Sequence, residues 1–275
     1  MSPEVGVIDE DALDSSMEEN PDETLALLAD LTGATDPKLR ELARQLAGQL
    51  FLELARRGPS TPRGVGRLHT QPYAPDRGDI DIDASLDTIV EARAARSAVD
   101  PEGLRVRAWS TPDTAICLLV DRSGSMTGRP LATAGVAAAA VAWRAPEDYS
   151  VLSFGKDTIA AKSQDAIRSN AQVVDAVLAL RGFGTTDIAG ALRAAAAQLA
   201  RSRAGRKIVI LLSDCRSTVA GDVEGAASAL DELVIIAPES DDAEATDFAA
   251  RLGARLTTVS GPSDAAAALG RVLDR

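Results

Sequence analysis

The chain has 275 residues and a formal net charge of −12, long enough for one large domain or for a domain with a smaller extension. So acidic a surface argues against nucleic acid or an anionic membrane as partner, because either would need a basic face to displace counterions. With 45% hydrophobic but only 3% aromatic residues, the core has to be built from Ala, Leu, Val and Ile, as in an alanine-rich α/β protein.

The stretch Met1-Ser2-Pro3-Glu4-Val5 opens on no basic segment followed by an apolar one, and no run of membrane-spanning length occurs, so the expectation is a soluble, cytoplasmic protein. Cys117 and Cys215 fit neither a CxxC pair nor a disulfide framework, and reduced thiols are expected.

Residues 1–20 are acidic and weakly apolar and read as a loose tail or at most a short helix. A helical extension follows over residues 21–58. Asn20-Pro21-Asp22-Glu23 predicts a helix start, with Asn capping, Pro in the first helical position and Glu23 closing a capping box. After Gly33, Asp36-Pro37 starts a second helix on which Leu39, Leu42, Leu46, Leu50 and Leu54 form one stripe. Packing on a neighbouring helix or on the main domain is the reading preferred for that stripe over an exposed docking face.

Residues 59–111 read as a linker or wrapping arm. Gly64, Gly66, Pro72 and Pro75 exclude long regular structure from its first part, and the sole histidine, His69, has no Cys or second His near it in sequence. Asp79, Asp81 and Asp83 alternate with Ile80 and Ile82, predicting a short extended piece before a helix beginning near Ser85. Without an EF-hand glycine and closing glutamate, these acids read as a solvated edge and helix cap rather than a calcium loop.

Over residues 112–275 strands and helices alternate: strand 115–120, helix 130–144, strand 149–154, helices 170–180 and 188–201, strand 207–213, helix 223–230, strand 233–237, helix 243–252, strand 256–259 and helix 263–273. That order predicts an α/β fold, a Rossmann-like doubly wound and mostly parallel sheet with helices on both faces, plus the N-terminal helical extension.

Ligands of such sheets bind beyond the carboxyl ends of the strands. The first strand ends in Asp121-Arg122-Ser123-Gly124-Ser125, and another ends in Ser213-Asp214. Thr185-Thr186-Asp187 precedes a helix start. All of these donors are hard oxygens, suited to Mg2+, with Mn2+ or Ca2+ as alternatives, and Mg2+ asks for about six. Two neighbouring carboxylates would repel each other, and a cation between them is the natural neutraliser.

Asp121-x-Ser123-x-Ser125, then Thr186, then Asp214 resembles the metal-ion-dependent adhesion site (MIDAS) of the von Willebrand factor A, or integrin inserted-domain, family. The resemblance implies a metal set of Asp121, Ser123, Ser125, Thr186 and Asp214. In it Ser123 and Ser125 bind the ion directly and Thr186 binds directly or through water. The aspartates act largely through water, and an open position remains for a carboxylate from a partner. Thr185 is an alternative to Thr186. Many members carry Asp-Gly at the second aspartate, where this chain has Asp214-Cys215. Cys215 reads as an inert thiol, the alternatives being a soft ligand or a redox switch.

The helical extension, the arm Gly78-Asp79-Ile80-Asp81-Ile82-Asp83 and the C-terminal domain together are similar to bacterial CoxE-like and magnesium-chelatase D-subunit-like proteins. That resemblance implies an adaptor or co-chaperone for a MoxR- or chelatase-type AAA+ ATPase, gripping an Asp or Glu of the ATPase or of its client during assembly or metal-cofactor insertion. No enzyme is expected. A haloacid-dehalogenase phosphatase would need a second Asp where Ser123 stands, no GxSxG elbow accompanies His69, and no phosphate loop is present. The rival readings are a Mg2+-dependent phosphohydrolase and a scaffold acting through the N-terminal helices.

Overall fold

In the computed structural model the described residues are 10–57, 67–73, 79–95, 97, 99–110, 114–122, 127–146, 148–182 and 184–273. The elements run α1 (Glu10–Glu19), α2 (Pro21–Leu31), α3 (Pro37–Arg57), β1 (Arg67–Pro72), β2 (Asp79–Ile80), α4 (Ile82–Ala95), β3 (Arg105–Ser110), β4 (Thr114–Asp121), α5 (Gly128–Arg144), β5 (Tyr149–Phe154), β6 (Thr158–Lys162), α6 (Asn170–Leu178), α7 (Ile188–Leu199), β7 (Arg206–Leu212), α8 (Val223–Ser228), β8 (Glu232–Pro238), α9 (Ala243–Leu252), β9 (Arg255–Val259) and α10 (Ala265–Leu273). They form two units, one of residues 1–60 with 114–275 and the other of residues 61–113. Among the described residues no helix is long and apolar enough to cross a membrane.

The larger unit is built on a six-stranded sheet in the order β6-β5-β4-β7-β8-β9. All its pairings are parallel except β5 with β6. β4 and β7 are almost continuously apolar because both of their faces are covered. Successive side chains alternate between the faces. Ile116, Leu118 and Val120 of β4 join Ile208 and Ile210 of β7 in one core, against α5, α6 and α10. Ala115, Cys117 and Leu119 join Val209 and Leu211 in the other, against α7, α8 and α9. This is the doubly wound α/β arrangement with N-terminal helices in addition.

Those helices belong to the first core. α3 buries Ala43, Ala47, Phe51 and Ala55, spaced four apart, while Leu46, Leu50 and Leu54 pack partly buried beside them. The stripe therefore packs inward, but its deepest line is the alanines and Phe51 rather than the leucines. The cause lies on α5, where a Cβ at Gly135 would come within 2.4 Å of the Phe51 ring. The missing side chain lets the two helices close around an aromatic wedge. At the start of α2 the expected capping box does not form. Asn20 makes no side-chain cap, and Glu23 instead pairs with Arg129 of α5.

In the smaller unit β1, β3 and β2 form an antiparallel three-stranded sheet with β3 in the middle. A strand at Arg67–Pro72 departs from the expectation of no long regular structure there. Its Pro72 ends an outer strand, the position in which a missing N–H is tolerated. Asp81 is the polar hub. It accepts from the Thr70 hydroxyl at 2.8 Å, the Ala84 N–H at 3.2 Å and the Arg107 guanidinium at 3.0 Å. Those bonds, the Thr70 bond first, hold its carboxyl below the usual range.

Candidate metal centre

β4 and β7 are parallel neighbours with Val120 opposite Leu212, so each strand's next residues leave the sheet side by side at its carboxyl edge. Asp121 is the last residue of β4, half-buried, and Ser213 follows β7. The Ser213 hydroxyl donates to Asp121 Oδ2 at 2.5 Å and accepts from the Cys215 N–H at 2.9 Å. One buried serine thus links the carboxylate of one strand to the turn of the next.

Asp214 is half-buried in that turn, and its Oδ1 accepts the Arg216 N–H at 3.0 Å. The Arg216 guanidinium donates to Asp241 at 2.6 Å. Cys215 adopts φ +64°, the left-handed conformation that glycine takes at least expense. The chain thus keeps at Cys215 the backbone turn expected of a glycine. Burial first, and then the charges of Asp214 and Asp121, push the Cys215 thiol up to about 12. The thiol stays protonated at neutral pH, consistent with an inert role.

Thr186 reaches this rim from the loop before α7 and is 1% exposed, whereas Thr185 is exposed. Its N–H donates to the Thr218 hydroxyl at 2.7 Å, and its carbonyl accepts from the Thr218 and Val219 N–H groups at 3.2 Å and from the Ser217 hydroxyl at 3.2 Å. Asp187 caps α7 through the Gly190 N–H at 2.8 Å and donates its own N–H to the Gly155 carbonyl beyond β5. Thr186 is held between the loops that follow β5 and β7. Ser123 and Ser125 lie outside the described residues. Asp121 and Asp214 stand at adjacent strand ends, and Thr186 lies on the loop bonded to the Ser217–Val219 stretch; Ser213, read from sequence only as one of the oxygen donors, and Thr218, given no role there, are supports.

Among the described residues no group of three or more His, Cys, Asp or Glu forms a metal cluster. The chemistry at the rim is two carboxylates with neutral hydroxyls, a hard-oxygen set that fits a divalent cation. Arg122, between Asp121 and Ser123, donates its N–H to the Phe154 carbonyl at 2.9 Å and its guanidinium to the Asp157 carbonyl at 3.4 Å.

The six-stranded, mostly parallel sheet flanked by helices is the fold of a von Willebrand factor A class domain. The model of the family described as VWA domain containing CoxE-like protein matches residues 53–269, and this chain belongs to that family. Among solved structures it is similar to a von Willebrand factor type A protein from Catenulispora acidiphila, at 18% identity over 61% of this chain and 43% of that one, TM-score 0.47. It is also similar to proximal thread matrix protein 1 from the mussel byssus, at 15% identity over 59% of this chain and 48% of that one, TM-score 0.45. A further structure of the byssus protein has a zinc-occupied MIDAS motif, at 14% identity over 59% and 47%, TM-score 0.43. The chain spans less than half the length of each of these structures. No curated protein matches its sequence. Domains of this class are in general interaction modules rather than catalysts.

Proposed function

We propose that this chain is a metal-dependent protein-binding adaptor that works beside a MoxR- or chelatase-type AAA+ ATPase, in assembly of a client or insertion of its metal cofactor. The observation that carries the reading is that Asp121 and Asp214 stand at the carboxyl ends of the adjacent parallel strands β4 and β7, with the Ser213 hydroxyl bonded to Asp121 between them. Asp121, Ser123, Ser125, Thr186 and Asp214 would hold Mg2+. When bound, the cation supplies an electrophilic centre with a position open to an outside carboxylate. The chain's own part is to aim oxygen donors. Ser213 fixes the Asp121 carboxylate, and the Thr218 hydroxyl fixes the Thr186 backbone. The ATPase pairing follows from the likeness to the CoxE and chelatase groups and is itself part of the proposal.

The test measures association of the purified chain with a purified MoxR-type AAA+ ATPase, in Mg2+ and in excess chelator. Binding in Mg2+ that is lost in chelator and in Asp121→Ala and Ser123→Ala supports the reading. Equal affinity in chelator overturns it. Release of phosphate from a generic ester, lost in the same variants, would put a phosphohydrolase in its place.

A further inference from the structure

Helix α4 turns small polar residues inward and large aliphatic ones outward. Ser85 is wholly buried, its hydroxyl accepting the Arg105 N–H at 2.8 Å and donating to the Arg105 carbonyl at 3.2 Å. Thr88 donates to the Gly103 carbonyl at 3.1 Å, and a Cβ on Gly103 would come within 2.7 Å of the Thr88 side chain. Asp81, just before the helix, binds Ala84 of its first turn together with Thr70 of β1 and Arg107 of β3. These bonds fix the rotation of α4 about its axis, since a turn by one residue, about 100°, would carry Ser85 and Thr88 away from their partners. With the rotation fixed, Ile82, Leu86 and Val90 lie four apart on one outer line, 66, 52 and 55% exposed. Ile80 of β2 is exposed ahead of them, and Arg93 follows in the last turn. One position on in sequence, and so next around the helix, Asp83, Asp87 and Glu91 make a second exposed line. Asp83 stands 3.8 Å from Arg107.

We propose that this outer face of α4 docks a helix of a partner protein whose apolar side is edged by lysines or arginines. A single exposed aliphatic side chain is ordinary, but three in line at four-residue spacing match the anchors by which one helix lies along another. The acidic line beside them sets the sign of the partner's edge, as the charges flanking the seam do in paired helices. The same acids choose against other occupants. A second copy of this chain would bring its own acidic line to the contact, and an anionic membrane recruits helices whose polar side is basic. The face belongs to the smaller unit and uses none of the metal-site residues, so the proposal does not depend on the metal reading.

The experiment titrates the full chain into two labelled synthetic helical peptides of about 18 residues, followed by fluorescence anisotropy at physiological ionic strength. Both peptides carry the same leucine face, flanked by lysine in one and by glutamate in the other. The lysine-flanked peptide is expected to bind, and the glutamate-flanked one to bind at least about tenfold more weakly. The triple variant Ile82→Ala, Leu86→Ala, Val90→Ala should weaken the lysine-flanked peptide roughly tenfold or more. Its urea midpoint should match wild type, because the side chains removed are exposed and alanine favours the helix. Asp87→Lys with Glu91→Lys should reverse the preference between the peptides. Glu244→Gln with Asp247→Asn, which removes two exposed acids from α9, should leave binding as it was. Equal binding of the two peptides, binding of neither, or an equal loss in the α9 variant overturns the proposal. So does a drop in the urea midpoint of the triple alanine variant, which would mean that the chain itself covers the face. Self-association in sedimentation, or binding to phosphatidylglycerol vesicles, that the triple variant abolishes would put a second copy or a lipid surface in the partner's place.

Discussion

The bodies of β4 and β7 and the few residues beyond their carboxyl ends are made to opposite rules. Within the strands, Leu118 and Ile210 are wholly buried on one face and Cys117 and Val209 on the other, in unstrained extended backbone. One step further, Asp121 and Asp214 are half-buried acids and Cys215 is turned to φ +64°. The difference teaches that stability and chemistry are separated along the strand axis. The strand bodies supply a rigid base, and the rim spends some of that stability on carboxylates held together and a backbone turn that a side chain resists.

The sharpest break of this contrast is Asp121→Ala. It should take Mg2+ binding out of the measurable range in calorimetry while the urea unfolding midpoint stays near wild type, since the residue sits at a strand end and not in the core. A large stability loss would mean that the rim is structural. The reverse case is Leu118→Ala, three residues earlier in the same strand. Its side chain is fully buried, and truncation should cost about 2–5 kcal/mol of unfolding free energy. Mg2+ affinity per folded molecule should stay unaltered. An affinity change comparable to that of Asp121→Ala would dissolve the separation.

A smaller effect comes from the two thiols. Burial raises Cys117 from 9.0 to about 12. Cys215 reaches about 12 through burial and then through Asp214 and Asp121. In the unfolded chain both titrate near 9.0, so between pH 9 and 12 the folded state binds more protons than the unfolded one. The stability that each thiol contributes is complete below pH 9 and declines as pH rises, by up to about 1.4 kcal/mol per pH unit for each. Urea unfolding across that window should show the decline, diminished in Cys→Ser variants. Asp214→Asn should lower the titration of Cys215, followed by ultraviolet thiolate absorbance, and leave that of Cys117 in place. A shift of both together would show that the rim charge reaches into the strand body.

The same contrast governs what the sequence could reveal. The β4 and β7 runs are legible because both faces are apolar. Strand 149–154 and helix 243–252 are found where they were expected. β6 is passed over because Thr158-Ile159-Ala160-Ala161-Lys162 is a five-residue antiparallel edge strand with only three apolar residues in a row and no polar–apolar alternation to read. β1 is missed for a related reason, its sequence Arg-Leu-His-Thr-Gln-Pro gaining strand character only from pairing with β3, far along the chain. At the rim, Asp121 and Asp214 are legible as acids that end apolar runs. Ser213 on Asp121 is not, because a bond spanning 92 positions imposes no local period.

The smallest expected effect is also the most direct comparison, since one substitution can be made in both places. At Cys117, mid-strand and fully buried, glycine removes a packed side chain and adds chain entropy to the unfolded state, with no strain to relieve. A loss of roughly 2–3 kcal/mol is expected. At Cys215 the same losses are offset by release of the left-handed strain, worth about 1–2 kcal/mol for a residue with a Cβ, so Cys215→Gly should unfold within about 1 kcal/mol of wild type. Its Mg2+ affinity should be retained, because the Ser213 hydroxyl accepts a backbone N–H at position 215 that glycine also provides. Equal losses at the two positions in urea would mean that the turn after β7 stores no strain, and the distinction between strand and rim would then rest on the carboxylates alone.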